Sequence, residues 1–175
     1  IRIHDLAKPE HTSIQQKIMS AASSMPVEFT EASELGAAEA ATGLSDFGAD
    51  DLRARLGVWL QALEEDADLN AVGRIGVFRD ITRYASNRLR FEDLLKRHPE
   101  ILEVEIECPI IIAGLPRSGT THLLNLIAAD RRLRSLPYWE SLEPIPDPGE
   151  EPGADGVDPR LARCRATYAQ QDVMM

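Results

Sequence analysis

The chain has 175 residues, with nineteen Lys and Arg against twenty-nine Asp and Glu, and its net charge of −10 at neutral pH excludes a general nucleic-acid binder. A hydrophobic fraction of 43% with 27% charged residues is the composition of a packed protein rather than a disordered one. No stretch reaches the roughly 20 apolar residues of a membrane span, and IRIHDLAKPE lacks the apolar run of a secretory signal, so a soluble, cytoplasmic protein is expected.

The first hundred residues read as helix. Thr12 or Ser13 is placed to cap a segment with Ile14, Ile18, Ala21 and Ala22 on one face, stopped by Pro26. Thr30 opens a helix rich in Ala and Glu that ends near Gly43. Asp50 is a cap for the next, in which Leu52, Leu56, Trp59, Leu60 and Leu63 recur at helical spacing. Asn70 begins the longest pattern, with Val72, Ile75, Phe78, Ile81, Ala85 and Leu89 at intervals of three or four. A last helical piece, FEDLLKRH, stops before Pro99. These stripes predict bundle packing, and residues 1–105 are expected to form a helical segment.

From residue 106 a second region is expected. Pro109 precedes Ile110-Ile111-Ile112-Ala113, a short β-branched run that suits a strand buried on both faces. Gly114 to Thr121 is a turn, THLLNLIAAD is helical, and Leu133 to Leu136 is a candidate second strand. Strand, glycine loop, helix and strand in this order open a βαβ unit, so the fold class expected for residues 106–175 is α/β, a P-loop-like three-layer parallel sheet of which only the first part is present. Six of the eleven prolines lie between Pro137 and Pro159, which predicts a long irregular loop near a site. Asp158-Pro159 then forms a cap and first-turn pair for a final helix. Cys108 and Cys164 have no metal or disulfide spacing and are expected as free thiols, Cys108 as a small buried residue; no metal site is expected.

The segment that carries chemistry is GLPRSGTT, Gly114 to Thr121. Its two glycines are separated by four intervening residues, as in a phosphate-binding P-loop, and Thr121 stands at the Ser/Thr position. Thr120, however, stands where a nucleotide triphosphatase needs lysine, which disfavours an ATP- or GTP-dependent enzyme. Arg117 supplies a cation within the loop, and the small residues after it can turn their backbone amides toward an anion at the helix start. From Pro109 to Arg134 four arginines (Arg117, Arg131, Arg132 and Arg134) face one acid, Asp130, a local net charge of +3, whereas residues 1–107 carry twelve cations and twenty anions. An anionic ligand therefore meets a favourable local field. Arg131, Arg132 and Arg134 have a second explanation, solvation of a helix end whose dipole they complement.

Pro116-Arg117-Ser118-Gly119-Thr120-Thr121, between a candidate strand and a helix, resembles the first signature of sulfotransferases that use 3′-phosphoadenosine 5′-phosphosulfate (PAPS). The similarity extends over roughly residues 40–146, toward bacterial members with a helical segment before the loop. The resemblance implies that Pro116, Arg117, Ser118, Gly119, Thr120 and Thr121 hold the 5′-phosphosulfate of PAPS as co-substrate, with no metal. It also implies in-line transfer of a sulfuryl group to a hydroxyl of a small-molecule or lipid acceptor. Arg117 then stabilises the departing phosphate oxygen.

The acceptor hydroxyl needs a base. Glu140 is the first candidate, since Tyr138-Trp139-Glu140 follows the second candidate strand, whose carboxyl end would lie beside the loop. A surface carboxylate is the competing explanation. His122 is second, with a structural role as its alternative, and Glu143 third; His4, His11 and His98 lack any partner pattern. The arginine and serine with which the family grips the 3′-phosphate are not found, and the chain is expected to be the N-terminal part of a longer protein. Two other functions stay open: a kinase-like P-loop phosphoryl-transfer enzyme, and a non-catalytic module in which the acidic helical segment binds a partner helix. The oligomeric state is left open.

Overall fold

Four helices begin at the side-chain caps that the sequence predicts. In a computed structural model that describes residues 10–49, 51–153 and 156–174, with side chains through residue 169, Thr12 opens α1 (Ser13–Ser23) through a reciprocal capping box with Gln15. Thr30 opens α2 (Glu31–Thr42) with Ser33 as its counterpart, and Gly43 ends that helix in the left-handed conformation. Asn70 accepts from the Gly73 amide at 2.9 Å at the start of α4 (Ala71–Arg97), and Asp158 accepts from Arg160 at 2.9 Å at the start of α7 (Pro159–Met174). Each such cap satisfies an amide that the first helical turn leaves orphaned, typically for about 1 kcal/mol. Asp50, expected to cap α3 (Asp51–Glu65), lies outside the described residues. The pattern from Asn70 and the piece FEDLLKRH are one continuous helix of 27 residues, followed by a 3-10 turn at Pro99–Glu103. Two short helices, α5 (Thr120–Ala128) and α6 (Tyr138–Leu142), precede α7.

The chain divides into two units, one made of Ile1–Arg97 and Arg165–Met175 and the other of His98–Cys164. In the first, α2 against α4 is the principal packing pair, with α1 against α4 and α2 against α3 completing it. Phe29, Leu35, Ala38, Phe47, Leu56, Leu60, Ile81, Ala85 and Leu89 form its core. The connecting segments are fastened by side chains of α4. Arg74 donates to the Val27 carbonyl at 2.7 Å and to Glu64 at 2.5 Å while lying 4.5 Å over the Phe29 ring, and Arg88 donates to the Phe47 carbonyl at 3.0 Å. Glu64 in turn accepts from the Phe29 amide at 3.0 Å, so the turn before α2 is bound from two helices.

The second unit corrects the expected fold class. Every regular element among the described residues is helical, with no strand and no sheet, so the α/β, P-loop-like parallel sheet is not formed. Residues 109–113 have no regular structure, and Ile110 and Ile111 are 61% and 83% exposed rather than buried on both faces. Leu133–Leu136 is likewise not a strand: Leu133 closes a turn onto Asp130, and Pro137 caps α6 directly afterwards. A strand is stabilised by the ladder it shares with a neighbour, and these two runs do not pair. A β-branched sequence alone does not supply that partner. Cys108 is also exposed instead of buried, with φ at +47°. Both cysteines are free thiols. No described helix is long and apolar enough to cross a membrane.

Candidate active site

The loop before α5 is shaped by two left-handed residues. Arg117 has φ of +66° and Gly119 φ of +89°. Glycine adopts this conformation freely, whereas an arginine there carries strain on the order of 1 kcal/mol, a feature that tends to collect at functional sites. Between them the chain turns back on itself: the Ser118 amide donates to the Leu115 carbonyl at 3.2 Å, and the Ser118 hydroxyl donates to the same oxygen at 2.6 Å. The return is close enough that a Cβ on Gly114 would lie 2.9 Å from both Ser118 Oγ and Thr120 Cγ2. A side chain at Gly114 would therefore force the Ser118 hydroxyl and the Thr120 methyl to shift, and the loop from Gly114 to Thr120 is a turn closed by the Ser118–Leu115 bonds.

Gly119 is the N-cap of α5 and brings no side chain to the task. The first helical hydrogen bond runs from the Leu123 amide to the Gly119 carbonyl at 3.0 Å, which leaves the amides of Thr120, Thr121 and His122 ahead of it without a helical acceptor. Three orphaned donors at the positive end of a helix, preceded by an exposed guanidinium, make a place suited to an anion. Arg117 has no ion pair among the described residues, and Pro116 to Gly119 are all exposed, as are Thr121 and His122. The structure therefore brings together Pro116, Arg117, Ser118, Gly119, Thr120 and Thr121 in one turn, with His122 at the third position of the helix that follows.

The neighbouring arginines divide. Arg132 is bound to Asp130 through Nε at 3.0 Å and Nη2 at 2.6 Å, just past the end of α5. This guanidinium holds the Asp130 carboxyl below the ordinary aspartate range. Arg134 donates to Glu140 at 2.6 Å, and that carboxylate is only 17% exposed. Glu140 sits in the first turn of α6 and is engaged by a cation. Glu143, the third candidate base, accepts from Arg163 Nε at 2.9 Å.

The proline-rich stretch is more ordered than its composition predicts, because α7 fastens it. Arg160 is nearly buried, donating to Asp158 at 2.8 Å and to the carbonyls of Glu143 and Pro144 at 3.0 and 3.1 Å, with its guanidinium 4.9 Å over the Trp139 ring. Arg163, one turn later, bridges Glu143 and Glu150, and Glu150 also accepts from the Asp147 amide at 3.1 Å. Sequence reasoning missed these two arginines. Their signal was the three-residue spacing of Arg160 and Arg163 after the cap Asp158, which places both on one helix face opposite the acids of the preceding loop.

Residues 109–175 match the sulfotransferase family. The matched segment contains the closed loop, α5, α6 and α7, and the match supports a transferase of sulfuryl groups. No curated protein and no solved structure matches the chain. In the matched segment, the exposed arginine and the uncapped helix start are thus the features with an evident chemical use.

Proposed function

We propose that the chain takes part in sulfuryl transfer from PAPS to a hydroxyl of a small-molecule or lipid acceptor, with Pro116 to Thr121 holding the 5′-phosphosulfate. The observation that carries this is the pairing of an exposed, internally unpaired Arg117 with the uncapped start of α5. PAPS supplies the activated sulfuryl group and a phosphate leaving group. The amides of Thr120, Thr121 and His122 orient that anion, and Arg117 offsets the charge that grows on the departing oxygen. Because the turn that carries the amides is already closed by the Ser118–Leu115 bonds, the backbone donors need little reorganisation during transfer, which is the condition for large electrostatic stabilisation. Glu140 is assigned as the base that takes the acceptor proton, released from Arg134 when substrate binds; His122 is the second choice for that role.

The test is calorimetric and kinetic. The product nucleotide adenosine 3′,5′-bisphosphate should bind, and Arg117→Ala should lower sulfuryl transfer by about 2–4 kcal/mol of transition-state stabilisation, roughly 30- to 1000-fold. Full turnover in Arg117→Ala, or binding of ATP with Mg²⁺ in place of the bisphosphate, would overturn the assignment.

A further inference from the structure

The helix that carries Glu140 is held by a buried arginine. α6 spans five residues, little more than one turn, and its N-cap Pro137 supplies no side-chain bond, so its own hydrogen bonds do not hold it in place. Arg160 supplies the outside contacts, and it is the one buried arginine among the described residues. Its guanidinium lies 4.9 Å over the ring of Trp139, in the first turn of α6, and donates to the carbonyl of the C-cap Glu143 at 3.0 Å and to that of Pro144 at 3.1 Å. One planar group thus grips both ends of α6, and its charge complements the carbonyls at the helix C-terminus. Asp158 fixes the guanidinium through Nε at 3.0 Å and Nη2 at 2.8 Å.

The two arginines that bear on Glu140 differ in kind. Arg134 reaches it with a 2.6 Å bond from a side chain that is 74% exposed, so water and ligands compete for that bond. Arg160 is held charged despite its burial by the Asp158 bond above all, with the fields of Glu140 and Glu143 behind it. We propose that Arg160 is a positioning residue for sulfuryl transfer: by gripping Trp139 and the Glu143 carbonyl it sets the rotation of α6, and with it the direction in which Glu140 presents its carboxylate to the acceptor hydroxyl. This rests on the reading of Glu140 as the base. In the transfer that base takes the hydroxyl proton as the acceptor oxygen bonds to sulfur. The bond from sulfur to the phosphate oxygen breaks, and its electron pair leaves with adenosine 3′,5′-bisphosphate. A proton is taken only within hydrogen-bond reach, so a small rotation of α6 should slow transfer without weakening nucleotide binding.

The experiment gives the full chain PAPS and two acceptors in mildly alkaline buffer: octanol, whose proton a base must remove, and para-nitrophenol, which is already ionised in solution. Arg160→Met should lower kcat for octanol on the order of 10- to 100-fold, leave KM for PAPS unchanged, and hold para-nitrophenol within about twofold. Arg163→Met, on the same helix face and also bound to Glu143, should leave both acceptors unchanged. Arg160→Lys keeps the charge without the planar fork; it is the second variant should Arg160→Met fail to fold, and it should show the same split between acceptors. Glu140→Gln separates the two readings. An octanol-selective loss there but not in the Arg160 variants overturns the positioning role alone, whereas no octanol-selective loss in Glu140→Gln removes the base and the positioning role with it. Amide exchange reads the same device without turnover: the Ser141 and Glu143 amides, bonded to the Pro137 and Trp139 carbonyls, should exchange about tenfold faster in Arg160→Met and not in Arg163→Met. Equal loss with both acceptors, or unchanged exchange in a folded Arg160 variant, would overturn the proposal.

Discussion

Glu34→Gln should stabilise the helical unit above neutral pH and not below about pH 5. Glu34 lies on α2 and is completely buried against the principal partner helix α4. One carboxylate oxygen accepts from the Thr82 hydroxyl at 3.2 Å, and the other is buried with no hydrogen-bond partner. Burial disfavours the charged form and raises this carboxyl from 4.5 to about 7, the Thr82 hydroxyl opposing the rise. Between these two values the folded chain binds the proton that the unfolded chain has released, so stability falls as pH rises from about 4.5 through 7 and levels off above. At about 1.4 kcal/mol per pH unit the full loss is on the order of 3 kcal/mol. Glutamine keeps the acceptor for Thr82 and removes the charge, but its amide group still lacks a partner. A net gain of about 2 kcal/mol at pH 8.5 is therefore expected, worth roughly 4–8 °C in melting temperature. Urea unfolding followed by far-ultraviolet circular dichroism at pH 5 and pH 8.5 isolates the effect, because the contributions of Asp46 and Glu64, whose carboxyls are held below their ordinary range by Lys96 and Arg74, cancel in the difference between variant and parent. A stability difference that does not change between the two pH values would refute the reasoning.

Three further substitutions probe the remaining devices. Gly114→Ala places a methyl 2.9 Å from Ser118 Oγ and Thr120 Cγ2, so it should displace the loop and abolish calorimetric binding of adenosine 3′,5′-bisphosphate while far-ultraviolet circular dichroism stays unchanged. Arg160→Met strands the Glu143 and Pro144 carbonyls and should loosen the proline-rich segment by about 1–3 kcal/mol, seen as faster proteolytic nicking between residues 137 and 159. Thr30→Ala removes the cap of α2 and should cost about 1 kcal/mol in the same urea assay, with no effect on nucleotide binding.

The helical unit was legible because its signals are local. Thr12, Thr30 and Asn70 bind amides within three residues, and the stripe Ile81, Ala85, Leu89 buries the face that its spacing indicates. Glu34 was not legible: an acid in the first turn of a helix is usually solvated, and only the packing of α2 on α4 places this one inside. Strand formation at Ile110–Ala113 failed for the complementary reason. Helical hydrogen bonds close within a segment, but a strand depends on a partner distant in sequence, which the residues of the run do not specify. The turn at Gly114–Thr121 survives the loss of the strand because it is closed by its own contacts between Leu115 and Ser118.

Those contacts also alter the electrostatic argument for an anion. Counting formal charges from Pro109 to Arg134 gives +3, as though four arginines were equally available. In the folded chain Arg132 is held by Asp130, and Arg134 by Glu140, which lies outside that stretch of sequence. Their fields are largely cancelled at short range, so neither adds much attraction at the loop. The attraction rests instead on Arg117, on Arg131, which no acid holds among the described residues, and on the orphaned amides of α5, whose partial charge requires no counter-ion. Affinity for an anion at this turn should accordingly depend more on backbone geometry, through Gly114 and Gly119, than on the number of surrounding arginines. Neutralising Arg132 should then change binding far less than adding one methyl group at Gly114.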